Sequence, residues 1–446
     1  MTEGAAASTN AWESTPGPTP EPAVAGGLPA EPGDPGALPL GPPWGTRTLA
    51  ELMPAIARSL GVHDARPDQG RGPGWELPPS RATCLFLVDG LGDVLLRDRR
   101  GHAPNLRALL DRPPPGVPAT FRAGFPTTTA VSLGSLGTGR PPGSHGLVGT
   151  EVLDPDRGVL VHQLAWDPEL DPLRWQPHDT VYEQLRRAGV DVAHVAPGFF
   201  DGSGLTRATL RGPRFEAAAG LTARVDLAAR LLRDGVRTAR STAGGPATFV
   251  LLYWEALDKT GHVHGWRSPE WTRALEKVDA AVGRLVEQAP GDASIYVTGD
   301  HGMVDVQPTG RLDLADRGVF PGLLDGLAHL GGEPRVRYGY ARPGAAGDVL
   351  GAFTHHLEDT CWVVDRRRAV TLGWFGPVED RVLPRLPDVI AAAREDVALL
   401  DTAHQRPESA ALIGLHGSFS DAESDVPLLW TTGTAGRSGG AGSTRG

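Results

Sequence analysis

Acidic and imidazole side chains recur where short apolar runs of this chain end. In residues 295–304 (IYVTGDHGMV) the β-forming run Ile295, Tyr296 and Val297 stops at Thr298-Gly299, and Asp300 and His301 follow, with Gly302 next. An apolar run closed by glycines reads as a buried strand ending in a loop. In an open α/β sheet, ligands bind just past the carboxyl ends of the strands. Adjacent Asp and His there suit a divalent metal such as zinc. Taken alone, the pair reads more plainly as a turn cap beside a surface histidine. The pattern repeats, however. LFLV ends in Asp89-Gly90, ATFVLLYWEALD ends in Asp258 with His262 four residues on, and AALIGLHG ends in His416. Six mixed carboxylate and imidazole ligands would serve two adjacent divalent ions, about three each, with positions left open for substrate. Between them lies FPTTT (Phe125 to Thr129), then small residues Ser132, Gly134, Ser135 and Gly137. A threonine at a helix N-terminus is either an N-cap or a nucleophile facing an anion.

The elements that must position these residues alternate between strand and helix. Strands are expected at 85–88, 190–196, 247–258, 295–297 and 410–417, and helices at 46–60, 102–111, 181–188, 221–238 and 271–288. That alternation predicts an α/β fold. From about 306 to 407, short strand-like pieces (RVRYGYAR, CWVVD, AVTLGWFG) broken by Gly and Pro predict an inserted α+β cap. His355 and His356 within it read as solvated side chains. Tyr338, Trp374 and Phe375 could stack on a base, although packing inside the cap is the plainer role. Residues 1–45 and 431–446 are rich in Gly, Pro, Ala, Ser and Thr and read as tails around a folded body over 46–430.

Composition narrows the function further. The 446 residues carry 43 basic and 53 acidic side chains, a formal charge of −10, which disfavours an affinity for nucleic-acid polymers built on phosphate neutralisation. Only Lys259 and Lys277 are lysines, so the arginine content looks like compositional bias. Cys84 and Cys361 are too few for a disulfide framework. The first 46 residues lack basic side chains and any long apolar run, so a secretory leader is not expected and a cytoplasmic location is. No run of 18 apolar residues predicts a membrane span. No GxxxxGK[ST] loop is present, which argues against P-loop chemistry.

Taken in order, LVDG (Leu87 to Gly90), FPTTT with GTGRPPGSHG, DKTGH (Asp258 to His262), GDHGM (Gly299 to Met303) and LHG (Leu415 to Gly417) resemble the alkaline phosphatase superfamily. Within it they resemble most the nucleotide pyrophosphatase/phosphodiesterase branch, over roughly residues 82–420. The resemblance implies an alkaline-phosphatase-like, mostly parallel central sheet flanked by helices, and two divalent ions, zinc foremost. Asp258, His262 and His416 would hold one. Asp89, Asp300 and His301 would hold the other, with the Thr129 oxygen facing it. Thr129 takes the family's nucleophile position, ahead of Thr127 and Thr128, and implies double displacement through a phosphothreonine. A small phosphate-ester substrate is implied.

Two departures weaken the nucleotide part of that resemblance. Where many members have an asparagine after the SHG stretch, this chain has Thr150, preceded by Gly149. The proline-asparagine that often follows the nucleophile is replaced by Ala130-Val131-Ser132. A phosphomonoesterase or phosphonate or sulfate-ester hydrolase on the same scaffold is therefore the alternative. The absence of a Cys-x-Pro-x-Arg signature counts against a sulfatase, and Thr at 129 counts against typical monoesterases. A non-catalytic binding relative is disfavoured because all six ligand positions and the nucleophile are filled. Asp/His sites also accept manganese or iron. Oligomeric state has no signature in the sequence.

Overall fold

The strand Ala82–Val88 is buried along its whole length in a six-stranded sheet. A computed structural model describes residues 37–63, 74–114, 116–241 and 245–435, and all elements below belong to the unit Pro39–Gly446. On one side of that strand lies Thr248–Trp254 and on the other Ala293–Gly299, both parallel to it. Beyond Thr248–Trp254 come Asp191–Ala196 and Arg214–Ala217, also parallel. The opposite edge is closed by the antiparallel Leu429–Thr432. The sheet is thus mostly parallel, and a parallel sheet needs cover on both faces. Side chains alternate accordingly. Leu85 and Leu87 enter one core with the helix Leu49–Ser59, whereas Cys84, Phe86 and Val88 enter a second core with Leu221–Ser241 and Pro269–Gln288.

Register then sets the site. Val88 stands opposite Gly299 and Trp254, so the next residues, Asp89 and Asp300, leave the sheet at one level.

A second six-stranded sheet is antiparallel throughout. Its order is Cys361–Asp365, Val389–Ala393, Val336–Ala341, Leu327–Glu333, Glu151–Asp154 and Val159–His162, with the helix Ala346–Leu357 against it. Its last two strands come from the stretch just after the SHG turn, not from residues 306–407. A buried bidentate pair, Arg335 to Glu423 at 3.0 and 2.8 Å, ties this sheet to the segment behind His416. Glu423 also accepts the Ser418 N–H at 3.0 Å, and its carbonyl accepts the Gly302 N–H at 2.8 Å.

Several elements differ from the sequence expectation. The run 247–258 is a strand only to Trp254; Ala256–His264 is a helix, and Asp258 sits in its first turn. The Asp258 side chain therefore comes from a helix, where His262 lies one turn away on the same face. The run 410–417 yields only the strand Gly414–Leu415, paired with Val304–Asp305 outside the central sheet. AVTLGWFG contributes the end of the helix Arg366–Thr371 rather than a strand. Of the expected N-terminal tail, residues 1–36 lie outside the described residues. Within the rest, Gly41 donates to Leu372 O and Trp44 to Gly373 O, both at 2.9 Å, while Trp374 donates to Pro39 O at 2.8 Å. Among the described residues no helix is long and apolar enough to cross a membrane.

Removing one partner of a buried ion pair strands the other charge. Arg335→Met is expected to lower the unfolding free energy by about 3–5 kcal/mol in a urea titration. A change below about 1 kcal/mol would mean the pair does not anchor the second sheet.

Candidate active site

The six acid and imidazole residues come together as two adjoining groups. Ligand atoms of Asp89, Asp300 and His301 lie within 4.8 Å of one another, and so do those of Asp258, His262 and His416. The His301 and His416 rings stack with centroids 3.7 Å apart, so the groups share a wall. Gly90 lets the two meet. It has φ +76°, and a Cβ there would stand 2.9 Å from the Asp258 Cα. That left-handed turn brings the first strand end against the Asp258 helix.

Each imidazole is oriented by the main chain. Nδ1 of His301 faces Gly302 O at 2.9 Å, Nδ1 of His262 faces Gly414 O at 2.7 Å, and Nδ1 of His416 faces Thr127 O at 2.8 Å. A proton on Nδ1 donated to a carbonyl leaves the Nε2 lone pair free for a metal. Nε2 of His262 lies 3.1 Å from Asp258 Oδ2, and Nε2 of His301 lies 3.5 Å from Asp89 Oδ1. The carboxylates are held too. Asp300 Oδ1 accepts the Gly90 and His301 N–H groups, both at 3.0 Å. Asp89 Oδ2 accepts the Tyr253 hydroxyl. By contrast, Asp300 Oδ2 and Asp258 Oδ1 are buried with no hydrogen-bond partner, one in each group. A buried carboxylate oxygen without a donor is costly, and a divalent cation is the partner that this donor set fits.

Electrostatics point the same way. Burial and the neighbouring Asp300 and Asp258 carboxylates push Asp89 well above the usual carboxylate range. Burial would also raise Asp258, but the positive charge of His262 outweighs it and holds Asp258 low. Burial lowers His262, and the same ion pair overrides that to raise it to about 9. Burial, helped by His301, depresses His416. Without a cation, a proton on His262 offsets part of the negative charge.

Thr129 opens the helix Thr129–Thr138, whose N-terminus carries no side-chain cap. Its hydroxyl lies 3.2 Å from His301 Nε2 and 3.5 Å from Asp89 Oδ1. Thr128 and Thr127 point elsewhere: the Thr128 hydroxyl is 3.0 Å from that of Thr150, while Thr127 donates to Ser418 O at 3.1 Å. Ser132, one turn into the helix, donates to Asp300 O at 2.7 Å. A cavity of about 900 Å³ opens beside the groups, lined by Thr128, Thr150, His262 and His416 among others. Tyr338, Trp374 and Phe375 do not line it; all three are buried, Trp374 and Phe375 against Phe125, and Tyr338 donates to Val148 O at 2.7 Å. His355 and His356 belong to neither group. Tyr253, Ser132, Glu333 and Arg337 are the site neighbours that motif reading misses. The one signal for Tyr253 is a polar-tipped side chain near the end of a buried strand.

Comparison with known proteins follows this geometry. The family model described as type I phosphodiesterase / nucleotide pyrophosphatase matches residues 83–419. A bis(5'-adenosyl)-triphosphatase of Mus musculus is 26% identical over 198 residues, 43% of this chain and 41% of that protein. An uncharacterised pyrophosphatase/phosphodiesterase of Schizosaccharomyces pombe is 27% identical over 212 residues, 46% of this chain and 41% of the relative. These matches thus span about two fifths of each relative's length. Among solved structures, murine ectonucleotide pyrophosphatase / phosphodiesterase 5 superposes with a TM-score of 0.59 at 18% identity, covering 78% of this chain and 87% of that one. That likeness places the chain in the same alkaline-phosphatase-like fold.

With chelator present, the folded protein holds the His262 proton more tightly than the unfolded chain, whose histidine titrates near 6.5. Stability from this ion pair is therefore full below about pH 6.5 and lost as pH rises towards about 9. Thermal unfolding across that window should show the decline, and His262→Gln should flatten it. A metal-free wild type with no slope there would mean the Asp258–His262 pair does not form.

Proposed function

The chain belongs to the type I phosphodiesterase / nucleotide pyrophosphatase family, and from that membership we propose that it hydrolyses phosphodiester or pyrophosphate bonds in nucleotide-type substrates. The observation that carries this reading is the hydroxyl of Thr129, within 3.5 Å of both Asp89 and His301 at the edge of one of the two ligand groups. Asp258, His262 and His416 would hold one divalent cation and Asp89, Asp300 and His301, with the Thr129 oxygen, a second. Zinc is the first choice, and bound there the ions would supply Lewis acidity and neutralise phosphoryl charge.

The protein's own groups do the rest. Thr129 Oγ attacks phosphorus in line, its proton passing to solvent, and the alcohol or nucleotide on the far side departs. The Thr129–phosphorus bond so formed is then broken by water, which releases the phosphate monoester and restores the hydroxyl. The uncapped N-terminus of Thr129–Thr138 directs its free N–H groups and the positive end of its dipole at the transferring oxygens. Thr150, at the cavity wall, donates to one of those oxygens where other members use an amide. A hydroxyl offers one donor to the amide's two, and this substitution is what favours the second reading, a monoester or phosphonate substrate.

The test is the rate ratio for bis-p-nitrophenyl phosphate over p-nitrophenyl phosphate, on zinc-loaded protein, with metal content measured in parallel. A diester preference is expected. Thr129→Ala should lower kcat/KM for the diester by at least about 10³-fold, and Thr150→Ala by roughly tenfold. A monoester preference moves the substrate class, and activity surviving in Thr129→Ala removes the phosphothreonine.

A further inference from the structure

The wall of the cavity carries a charge with no counter-ion in contact. Arg337, on the strand Val336–Ala341, is 1% exposed and lines the cavity. Its Nε donates to Leu399 O at 2.7 Å, but its buried Nη2 has no hydrogen-bond partner. Among the described residues no carboxylate stands within 4.0 Å of the guanidinium, although Glu151, Asp401 and Glu333 are near enough to be felt. One of these acids is already occupied: Asp401 accepts from His404 Nδ1 at 2.8 Å. An unpaired buried guanidinium is costly, and cavity-facing donors lose that cost when an anion arrives.

The remainder of the wall says what is not recognised. Among the described residues lining the cavity there is no Phe, Tyr or Trp; leucines such as Leu160, Leu327 and Leu412 supply the apolar area. The aromatic rings at this wall are imidazoles, and no Phe, Tyr or Trp is there to stack on a base. Recognition in this cavity falls instead to charged donors, of which Arg337 is the buried one.

We infer that Arg337 is a specificity-determining residue, whose free Nη binds a second anionic group of the substrate, a phosphate or carboxylate beyond the phosphoryl group that is transferred. This rests on the hydrolase reading above and deepens it. A substrate with anionic oxygens beyond the scissile bond gains a charge-assisted hydrogen bond, and a simple diester does not.

The experiment compares ATP with bis-p-nitrophenyl phosphate on wild type, Arg337→Met and Arg337→Lys, all zinc-loaded. Arg337→Met should lose roughly 10–100-fold in kcat/KM on ATP, the worth of one charged hydrogen bond. On the simple diester it should change less than about threefold. Arg337→Lys should recover part of the ATP activity. Equal losses on both substrates, or none on ATP, overturn the inference. If Arg337→Met unfolds, Arg337→Lys decides alone: it folds with the donor kept but the fork lost, and must show a selective loss on ATP. Calorimetric binding of inorganic pyrophosphate to wild type and to the folded variants separates the two readings. If neither substrate is hydrolysed, the hydrolase reading fails, while weaker pyrophosphate binding in the variants still upholds Arg337 and equal binding overturns it.

Discussion

Three buried aspartates, Asp89, Asp258 and Asp300, converge on one water-poor wedge, and the rest of the architecture answers to that concentration of like charge. Folding supplies part of the compensation: main-chain N–H groups of Gly90 and His301 to Asp300, the Tyr253 hydroxyl to Asp89, a charged His262 to Asp258. It leaves an oxygen in each group without a donor. Like charges in a low-dielectric site repel strongly, so the wedge is an arrangement awaiting positive charge. Parallel register, the left-handed Gly90 and the short helix after Trp254 all bring the acids closer than unaided chemistry would place them.

The second sheet stabilises the wedge from outside. Arg335 grips Glu423, and Glu423 in turn steadies both the Gly302 loop and the segment after His416. Tyr338 reaches across to Val148, just ahead of Thr150. Beneath the Thr127–Thr129 turn, Phe125 lies among Trp374, Phe375 and Phe419, and Trp374 is pinned by the chain at Pro39. A residue near the beginning of the folded unit therefore supports the floor beneath Thr129.

Much of this was legible in the sequence, and the limits have physical causes. Runs such as CLFLVDG and SIYVTGDHG declare themselves because a strand covered on both faces must be apolar throughout and must stop at its loop. Asp258 reads as a ligand candidate at a strand end, since Glu255 alone interrupts the apolar run FVLLYWEAL ahead of it and periodicity cannot separate a strand end from the first turn of a buried helix. His416 reads as the end of a strand over 410–417, longer than the one that forms, because the two-residue pairing of Gly414–Leu415 with Val304–Asp305 is made over a hundred positions away. Tyr253 and Arg337 could not be read at all. The importance of each comes from one atom meeting a distant neighbour, and no local pattern encodes that.

The three imidazoles take their aim from the carbonyls of Thr127, Gly302 and Gly414. A carbonyl belongs to every residue type, so no exchange of side chain at those positions deletes it. The orientation is written in the path of the chain rather than in its alphabet. Such a site tolerates heavy rewriting of its surroundings as long as three loops keep their course, and it fails all at once when any one of them is rerouted.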